Sequence, residues 1–465
     1  MASNKHNNNR YYLEIAYNSL LAKKIFVTDG KFLYYASGIW HRIDGDNAIR
    51  NMRIIIENEF KDKADMRMTL STPTMAKKLF EAIKTSPSIP EVKIELTNSP
   101  IVAIENGRNI LNLQTMQTRP IKPEDRQFWS YDYSYIPDAR WADAPEFCEF
   151  VEKSIGIDLK NGNINDCKRK HLLELLAYFC TNIFGAKKMF VLLGPPSCGK
   201  SVLLQFLKNV VGSGNFVPLS LADLSDKFRL QLLETAHMII NDELPCKGLR
   251  HLDLLKRTIS CEDLIGEKKK GTPFTFVPTV KIIFAANQLP RLAEYDSGNA
   301  FAERLSVLHF AQTIPRKQWK LNLASRLFEE RSVIISAALQ EVRNFLTNPS
   351  EFVEDTDGRS ILADYETEND SVHEFINDAS RCILPEPPNT GEFRVSVKAL
   401  YRHFETYCDD NGISAIDLGT FRSQMEQFGF KRHKLRYHGQ SVSCFVGIGL
   451  ASESMCVLPG KGAVK

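Results

Sequence analysis

Gly194-Pro195-Pro196-Ser197-Cys198-Gly199-Lys200-Ser201 follows the apolar run Met189-Phe190-Val191-Leu192-Leu193 and precedes Val202-Leu203-Leu204-Gln205-Phe206-Leu207. The run predicts a buried strand, and the segment after it predicts a helix. Between them stands G-x-x-x-x-G-K-[ST], a pattern that cradles phosphate with its backbone. Gly194 and Gly199 permit the curl that turns successive N–H groups inward. The helix starting near Lys200 adds its positive end. Lys200 suits the β- and γ-phosphates, and the Ser201 hydroxyl suits Mg²⁺. ATP and Mg²⁺ are therefore the expected ligands, with Pro195, Pro196, Ser197 and Cys198 completing the loop. A Gly-rich turn before an ordinary helix is the plainer alternative.

Outward from this loop, a chain of 465 residues exceeds one simple core and predicts roughly two to four domains. Hydrophobic residues at 43% and charged residues at 25% are the balance of a soluble globular chain. No apolar stretch reaches the length of a membrane span, so no membrane partner is expected. Residues 1–9 lack the apolar core of a signal peptide and read as a flexible tail. The net charge is only +3, with a pI of about 8.2, so any case for nucleic acid must be local. The ten cysteines contain no C-x-x-C pair, which gives no support to zinc ribbons or thioredoxin-like chemistry. A reducing, cytoplasmic setting fits that usage. Cys198 reads as a small tolerated side chain.

Residues 10–120 read as an N-terminal α+β module. It has an aromatic hairpin at 31–40, a helix at 47–60 and a second hairpin turning at Asn106-Gly107. Residues 121–145, rich in Pro, aromatic and acidic residues, read as a linker. Residues 146–187 read as a helical collar, with Leu172, Leu173, Leu175, Leu176, Phe179 and Ile183 at helical spacing. Residues 188–315 alternate short buried strands with helices, the signature of a parallel α/β sheet. A helical lid at 316–350, a polar linker region at 351–392 (with Pro385–Gly391 as its plainest part), a small module at 393–452 and a tail at 453–465 complete the plan.

Met238-Ile239-Ile240-Asn241-Asp242-Glu243 predicts a strand ending in two carboxylates at the nucleotide edge of the sheet. Asp242 suits Mg²⁺, and Glu243 suits polarising the attacking water. Lys281–Asn287 predicts a further strand whose terminal Asn287 orients that water and senses the γ-phosphate. Arg304 stands just before the strand at 306–310, where a guanidinium reaches a neighbouring subunit as an arginine finger. A salt bridge within its own subunit reads that spacing equally well. Lys268, Lys269 and Lys270 stand between Gly266 and Gly271 as a hairpin tip suited to a phosphate backbone, or to a solvated turn.

At the carboxyl end, Val397, Leu400, Tyr401, Phe404 and Tyr407 mark one helix face. Phe421, Met425 and Phe428 mark a second, with Arg422, Ser423 and Gln424 exposed. A basic hairpin carrying Lys431, Arg432, Lys434 and Arg436 with no acid among them follows. A helix followed by a basic wing docks on duplex DNA, or on a protein.

The ordered set of 194–201, 238–243, the lysine hairpin, Asn287 and Arg304 resembles the superfamily 3 helicases, a branch of the AAA+ ATPases. Residues 30–187 look like the region ahead of the helicase in poxvirus-type and phage or plasmid primase-helicases, with Asn106-Gly107 and Tyr131-Asp132-Tyr133 part of that likeness. The tail resembles their winged-helix domain. The resemblance implies an AAA+ P-loop core with a winged helix, assembled as a hexameric ring. It implies movement 3′→5′ on single-stranded DNA, with forked DNA as substrate, in replication of a virus, phage, plasmid or mobile island. Origin DNA and a separate primase are further implied partners. Ser260-Cys261-Glu262-Asp263 replaces the Gly-Gly-Asp or Ser-Gly-Asp usual before the hairpin. No acidic triad for nucleotidyl transfer stands upstream, so primase activity is not implied. Two other readings remain at this stage. One is an origin-binding initiator that uses ATP as an assembly switch. The other is an RNA-directed motor of the same superfamily.

Overall fold

The computed structural model of the chain describes residues 2–28, 31–43, 47–92, 100–244, 248–267, 272–296, 299–347, 351–384, 393–437 and 440–451. It opens with α1 (Ala2–Ala22), so the segment expected to be a tail is the start of a helix. Asn4, Asn7, Asn8 and Asn9 are weak helix formers and hide it in the sequence. Ala16 and Leu20, fully buried, anchor it further along. An antiparallel sheet of β1 (Phe26–Thr28), β2 (Phe32–Ala36) and β3 (Ile39–Arg42) follows, then α2 (Ala48–Glu59), α3 (Ala64–Leu70) and α4 (Pro73–Lys84). The hairpin at 31–40 and the helix at 47–60 are thus present. Met52 and Ile56 of α2, Leu79 and Phe80 of α4, and Phe26 and Phe32 of the sheet share a core of their own.

A second sheet contains β4 (Ile101–Ile104), β5 (Asn109–Asn112), β6 (Gln117–Pro120) and β7 (Ser130–Tyr131), in the order β6-β5-β4-β7. Its first turn falls at Asn106-Gly107 as expected, with φ of 54° and 83°. That turn presses on the turn of the first hairpin: a Cβ on Gly38 would lie 1.7 Å from the Gly107 carbonyl oxygen. This sheet moves the expected boundary. Val102, Ile104 and Leu111 belong to the same buried cluster as Phe190 and Leu204, so the unit expected to span 10–120 divides near residue 100.

Residues 121–145 are not a linker but part of that central core. Tyr131 and Tyr133 are each 1% exposed. Tyr131 Oη donates to the Thr181 carbonyl, and the Trp129 ring stacks on His237 with centroids 4.2 Å apart. Large aromatic rings dominate core energetics when a partner surface exists, and here that partner is distant in sequence.

The collar region is helical as expected, with α5 (Pro145–Ser154) and α6 (Cys167–Phe179). α6 buries all its leucines and also Glu174, whose carboxylate accepts from Val353 N at 2.7 Å. Burial pushes this carboxyl up from 4.5 to about 7. The folded chain therefore holds a proton that the unfolded chain releases near pH 4.5. Stability from this group is full below about pH 4.5 and is lost as pH rises through about 7, on the order of 1–3 kcal/mol. Glu174→Gln is expected to gain stability relative to the native chain across that window, measured by urea unfolding at pH 5 and pH 8. A difference that does not change with pH would overturn this assignment.

The central sheet has five parallel strands in the order β14-β8-β13-β10-β9. The elements run β8 (Met189–Leu193), α7 (Lys200–Val211), β9 (Phe216–Val217), α8 (Lys227–Leu230), β10 (Met238–Asn241), α9 (Leu252–Ile259), the hairpin β11 (Leu264–Glu267) and β12 (Pro273–Phe276), β13 (Lys281–Ala286) and β14 (Leu305–His309). β8, β13 and most of β14 and β10 are buried, which is why they read as largely apolar runs, broken only at positions such as Lys281 and Ser306. α10 (Leu323–Glu329) and α11 (Arg331–Glu341) fall in the expected lid and pack against α7 and α6.

The polar region at 351–392 is also largely structured. α12 (Thr356–Glu368) lies so close to β14 that a Cβ on Gly358 would sit 2.2 Å from the Val307 carbonyl oxygen. Asp355 caps it and accepts from His309 N at 3.1 Å. α13 (Ser371–Asn377) and β15 (Cys382–Ile383) follow. The linker read at Pro385–Gly391 lies outside the described residues. The last module contains β16 (Arg394–Ser396), α14 (Val397–Asn411), α15 (Leu418–Gln427), β17 (Arg432–Tyr437), β18 (Gln440–Val446) and β19 (Gly449–Leu450). Its main sheet has the order β16-β18-β17. Val397, Leu400, Phe404, Tyr407, Phe421 and Met425 are buried in it, as their spacing predicts.

Candidate functional site

The loop at 194–201 leaves the carboxyl end of β8 in a conformation that its glycines make possible. A Cβ on Gly194 would lie 2.2 Å from the Phe310 carbonyl oxygen. Gly199 has φ 104°, and a Cβ there would meet the Phe150 ring at 2.8 Å. Gly199 caps α7, so the free N–H groups of that helix's first turn open onto the loop. The loop is held to its surroundings by Gly194 N donating to Ala286 O at 3.2 Å and Ile314 N donating to Ser197 O at 3.0 Å.

Lys200 is buried, and its Nζ donates to the carbonyls of Gly194 and Pro195 at 2.7 Å each and to Asn287 Oδ1 at 3.1 Å. The ammonium thus sits in the mouth of the loop, held by neutral acceptors that an anion can replace. Cys198 is 1% exposed and packs beneath it, in keeping with a small structural side chain. Ser201, Pro196 and Ser197 are exposed. A cavity of about 400 Å³ opens beside the loop, bounded by Ser197–Val202, by Phe150 and Lys153 of α5, and by Ile314, Trp319 and Leu323. Its rim carries an ion network: Lys320 Nζ contacts Glu146 at 2.7 Å and Glu149 at 2.6 Å, and Lys153 contacts Glu149 at 2.7 Å. Hydrogen bonds from Lys153 and then Lys320 pull the Glu149 carboxyl down to about 2. The cavity residues outside the loop were not singled out in the sequence, because α5 and the 314–323 segment meet only in the fold.

Asp242 and Glu243 follow β10 at the same carboxyl edge of the sheet, and both are exposed. Glu243 N donates to Asn241 Oδ1 at 3.0 Å. Asp242 Oδ1 is paired with Lys208 Nζ of α7 at 2.9 Å, a partner the sequence did not suggest. Asn287 follows β13 and reaches the loop through Lys200. The fold therefore gathers the loop, the two carboxylates and Asn287 on one edge.

Arg304 is on the other edge. Leu305 pairs with Met189 at the start of β8, whereas His309 pairs with Leu193 next to the loop. Five strand residues at about 3.3 Å each separate the two ends. Arg304 is half-buried; its Nε donates to Ser260 Oγ at 3.0 Å and its Nη1 donates to the Ala300 carbonyl. Among the described residues no carboxylate is paired with it, so its partners there are Ser260 and Ala300 and not the salt bridge considered for it. Ser260, noted in the sequence only as a departure from the family pattern, is its anchor.

The hairpin β11–β12 pairs from Leu264↔Phe276 to Glu267↔Pro273. Lys268, Lys269 and Lys270 lie outside the described residues. On the C-terminal module, Lys431, Lys434 and Arg436 are exposed on or beside β17. Arg432 pairs with Glu426 of α15 at 3.1 Å. One expectation there needs correction. Gln424 is buried, not exposed, with Nε2 donating to Tyr295 Oη at 3.0 Å, and Arg422 is half-buried. α15 turns part of its polar face toward the central domain, which reading the module in isolation could not reveal.

Comparison with known proteins bears on this arrangement in two stretches. Residues 12–156 match the family described as D5 N terminal like. Residues 192–304 match a family of unknown function, DUF5906, and that stretch runs from the end of β8 to Arg304. No curated protein matches the chain. The A-form apo structure of the NrS-1 C-terminal region is similar, with a TM-score of 0.50 and 13% identity, covering 93% of this chain and 98% of that one. An apo structure of the same NrS-1 region has a TM-score of 0.49 at 13% identity, with the same coverage. At that identity the first likeness is one of fold. No helix among the described residues is long and apolar enough to cross a membrane.

Proposed function

We propose that the protein is a replication helicase of the phage or plasmid primase-helicase type, a superfamily 3 AAA+ motor that couples ATP hydrolysis to unwinding of DNA. The observation that carries this reading is the division of residues between the two ends of one parallel sheet. The 194–201 loop, Asp242, Glu243 and Asn287 share the carboxyl edge, whereas Arg304 stands at the other end, held by Ser260 and Ala300. That division suits a site completed by a second copy of the chain, and so a ring, with six subunits as the expected number. The strand order β14-β8-β13-β10-β9 and the D5 N terminal like match support the same reading.

In this mechanism the loop N–H groups and the start of α7 bind the phosphates of ATP. Lys200 exchanges its carbonyl partners for β- and γ-phosphate oxygens. The base and sugar enter the cavity between α5 and Trp319. Ser201 and Asp242 present hard oxygen donors, which fit Mg²⁺. When bound, the cation neutralises charge developing on the phosphates. Glu243 accepts the proton of the attacking water, and Asn287 orients that water while its contact with Lys200 reports the γ-phosphate. Arg304 of the adjacent copy stabilises the transition state. The lysines at 268–270 grip a single strand, and the last module, read as a winged helix, lays Lys431, Lys434 and Arg436 along duplex phosphates beside Arg422 and Arg432.

Strand displacement tests the reading. With ATP, the protein is expected to release the labelled strand of a 3′-tailed duplex and to leave a 5′-tailed duplex intact. Retention of DNA without displacement would replace the helicase with an initiator that uses ATP as an assembly switch.

A further inference from the structure

The segment between Asn287 and Arg304 is held from the carboxyl-terminal side of the chain. Tyr365 Oη of α12 donates to Pro290 O at 2.7 Å, and Leu292 N donates to Asn369 Oδ1 at 2.8 Å. The last module adds two contacts. Ser414 N donates to Ala293 O at 3.0 Å, and Gln424 Nε2 of α15 donates to Tyr295 Oη at 3.0 Å. Tyr295 also packs against the apolar core of that module.

The next residue, Asp296, carries the connection onward. It is 8% exposed, and its Oδ2 accepts from Phe301 N at 2.6 Å and Ala302 N at 3.3 Å. These are the first N–H groups of the short turn that ends at Arg304, so Asp296 caps that turn. Lys256 of α9 approaches Asp296 Oδ1 at 3.4 Å, and Ser260 at the end of the same helix holds Arg304 Nε. Docking of the last module and placement of the guanidinium thus act on two adjacent residues, Tyr295 and Asp296.

We propose that the C-terminal module is a positioning element for Arg304, acting through Gln424, Tyr295 and Asp296. The inference rests on the reading of Arg304 as a finger for the adjacent subunit. When the module is docked, the capped turn presents Arg304 in one orientation. A module drawn away by bound DNA relaxes the hold on Tyr295, so the state of the DNA-contacting module is felt at the neighbour's ATP site. Misplacing a catalytic group by about 1 Å costs about 10²-fold in rate.

The test uses full-length Tyr295→Ala/Gln424→Ala double-variant protein. The expected result is a fall in kcat for ATP of about 10- to 10²-fold with unchanged nucleotide affinity. Mixing with Glu243→Gln subunits, whose own Arg304 remains in place, is expected to restore turnover. Unchanged kcat in an assembled double variant would overturn the proposal, and so would a loss that mixing cannot restore. Should the double variant not fold, Asp296→Asn keeps an oxygen for the Phe301 and Ala302 N–H groups. It is expected to retain much more turnover than Asp296→Ala, and equal rates would overturn the proposal. Arg304→Ala runs alongside: full turnover in that variant would sink the finger reading itself, a different failure from intact turnover in the double variant alone.

Discussion

Lys200→Ala is expected to abolish ATP turnover, and strand displacement with it. The fold holds the Lys200 ammonium inside the 194–201 loop, with Nζ against the carbonyls of Gly194 and Pro195 and against Asn287 Oδ1. Neutral acceptors hold a lysine less firmly than anionic phosphate oxygens do. In the proposed mechanism the group is therefore prepositioned, with stronger contacts to come from a bound nucleotide. Removing one preorganised donor from a developing charge costs about 10²–10³-fold, and here the same residue also binds the ground state. The loss should appear in both kcat and KM. Lys200→Met keeps most of the aliphatic stem and separates the missing charge from the missing packing. ATP turnover and nucleotide binding are measured with and without single-stranded DNA. Hydrolysis near the native rate in either variant would remove the loop from the mechanism.

What the sequence made legible was local. The 194–201 pattern, the Asn106-Gly107 turn and the apolar runs at 189–193 and 281–286 each carry their geometry in neighbouring residues, and each is where it was expected. The misreadings were long-range. Residues 121–145 resemble a linker until Tyr131 is seen to meet Thr181 and His237. α12 advertises itself weakly, because it approaches β14 through Gly358 and sets only Ile361, Leu362 and Tyr365 against the core. The same logic applies to the site. The candidate residues at 194–201, 242–243 and 287 follow strand ends and so announce themselves, whereas Ser260, Asp296 and Lys208 stand out only through what they touch. The basic wing carries no acid of its own, and the pairing of Arg432 with Glu426 of α15 is visible only in the fold.

Arg304→Ala is expected to abolish turnover while leaving nucleotide binding intact. The argument is geometric. Arg304 precedes β14, level with the start of β8, and the loop it would serve leaves the far end of β8. An arginine side chain does not span five strand residues at about 3.3 Å each together with the loop beyond them. Arg304 therefore cannot reach a nucleotide bound at the loop of its own chain in this fold. If it contributes to hydrolysis, it does so from a neighbouring copy, and an arginine finger is worth about 10³–10⁵-fold in kcat. Binding should survive, because every residue of the loop remains. Mixed assemblies decide the direction of the contact. Arg304→Ala subunits keep an intact Glu243, and Glu243→Gln subunits keep an intact Arg304. Where the first receives the guanidinium of the second, one complete site forms and some hydrolysis returns, although each variant alone is inactive. The measurement is ATP turnover across mixing ratios, with mixed assembly verified by mass. Verified mixed rings with no recovery would leave Arg304 as a structural residue whose role ends at Ser260 and Ala300.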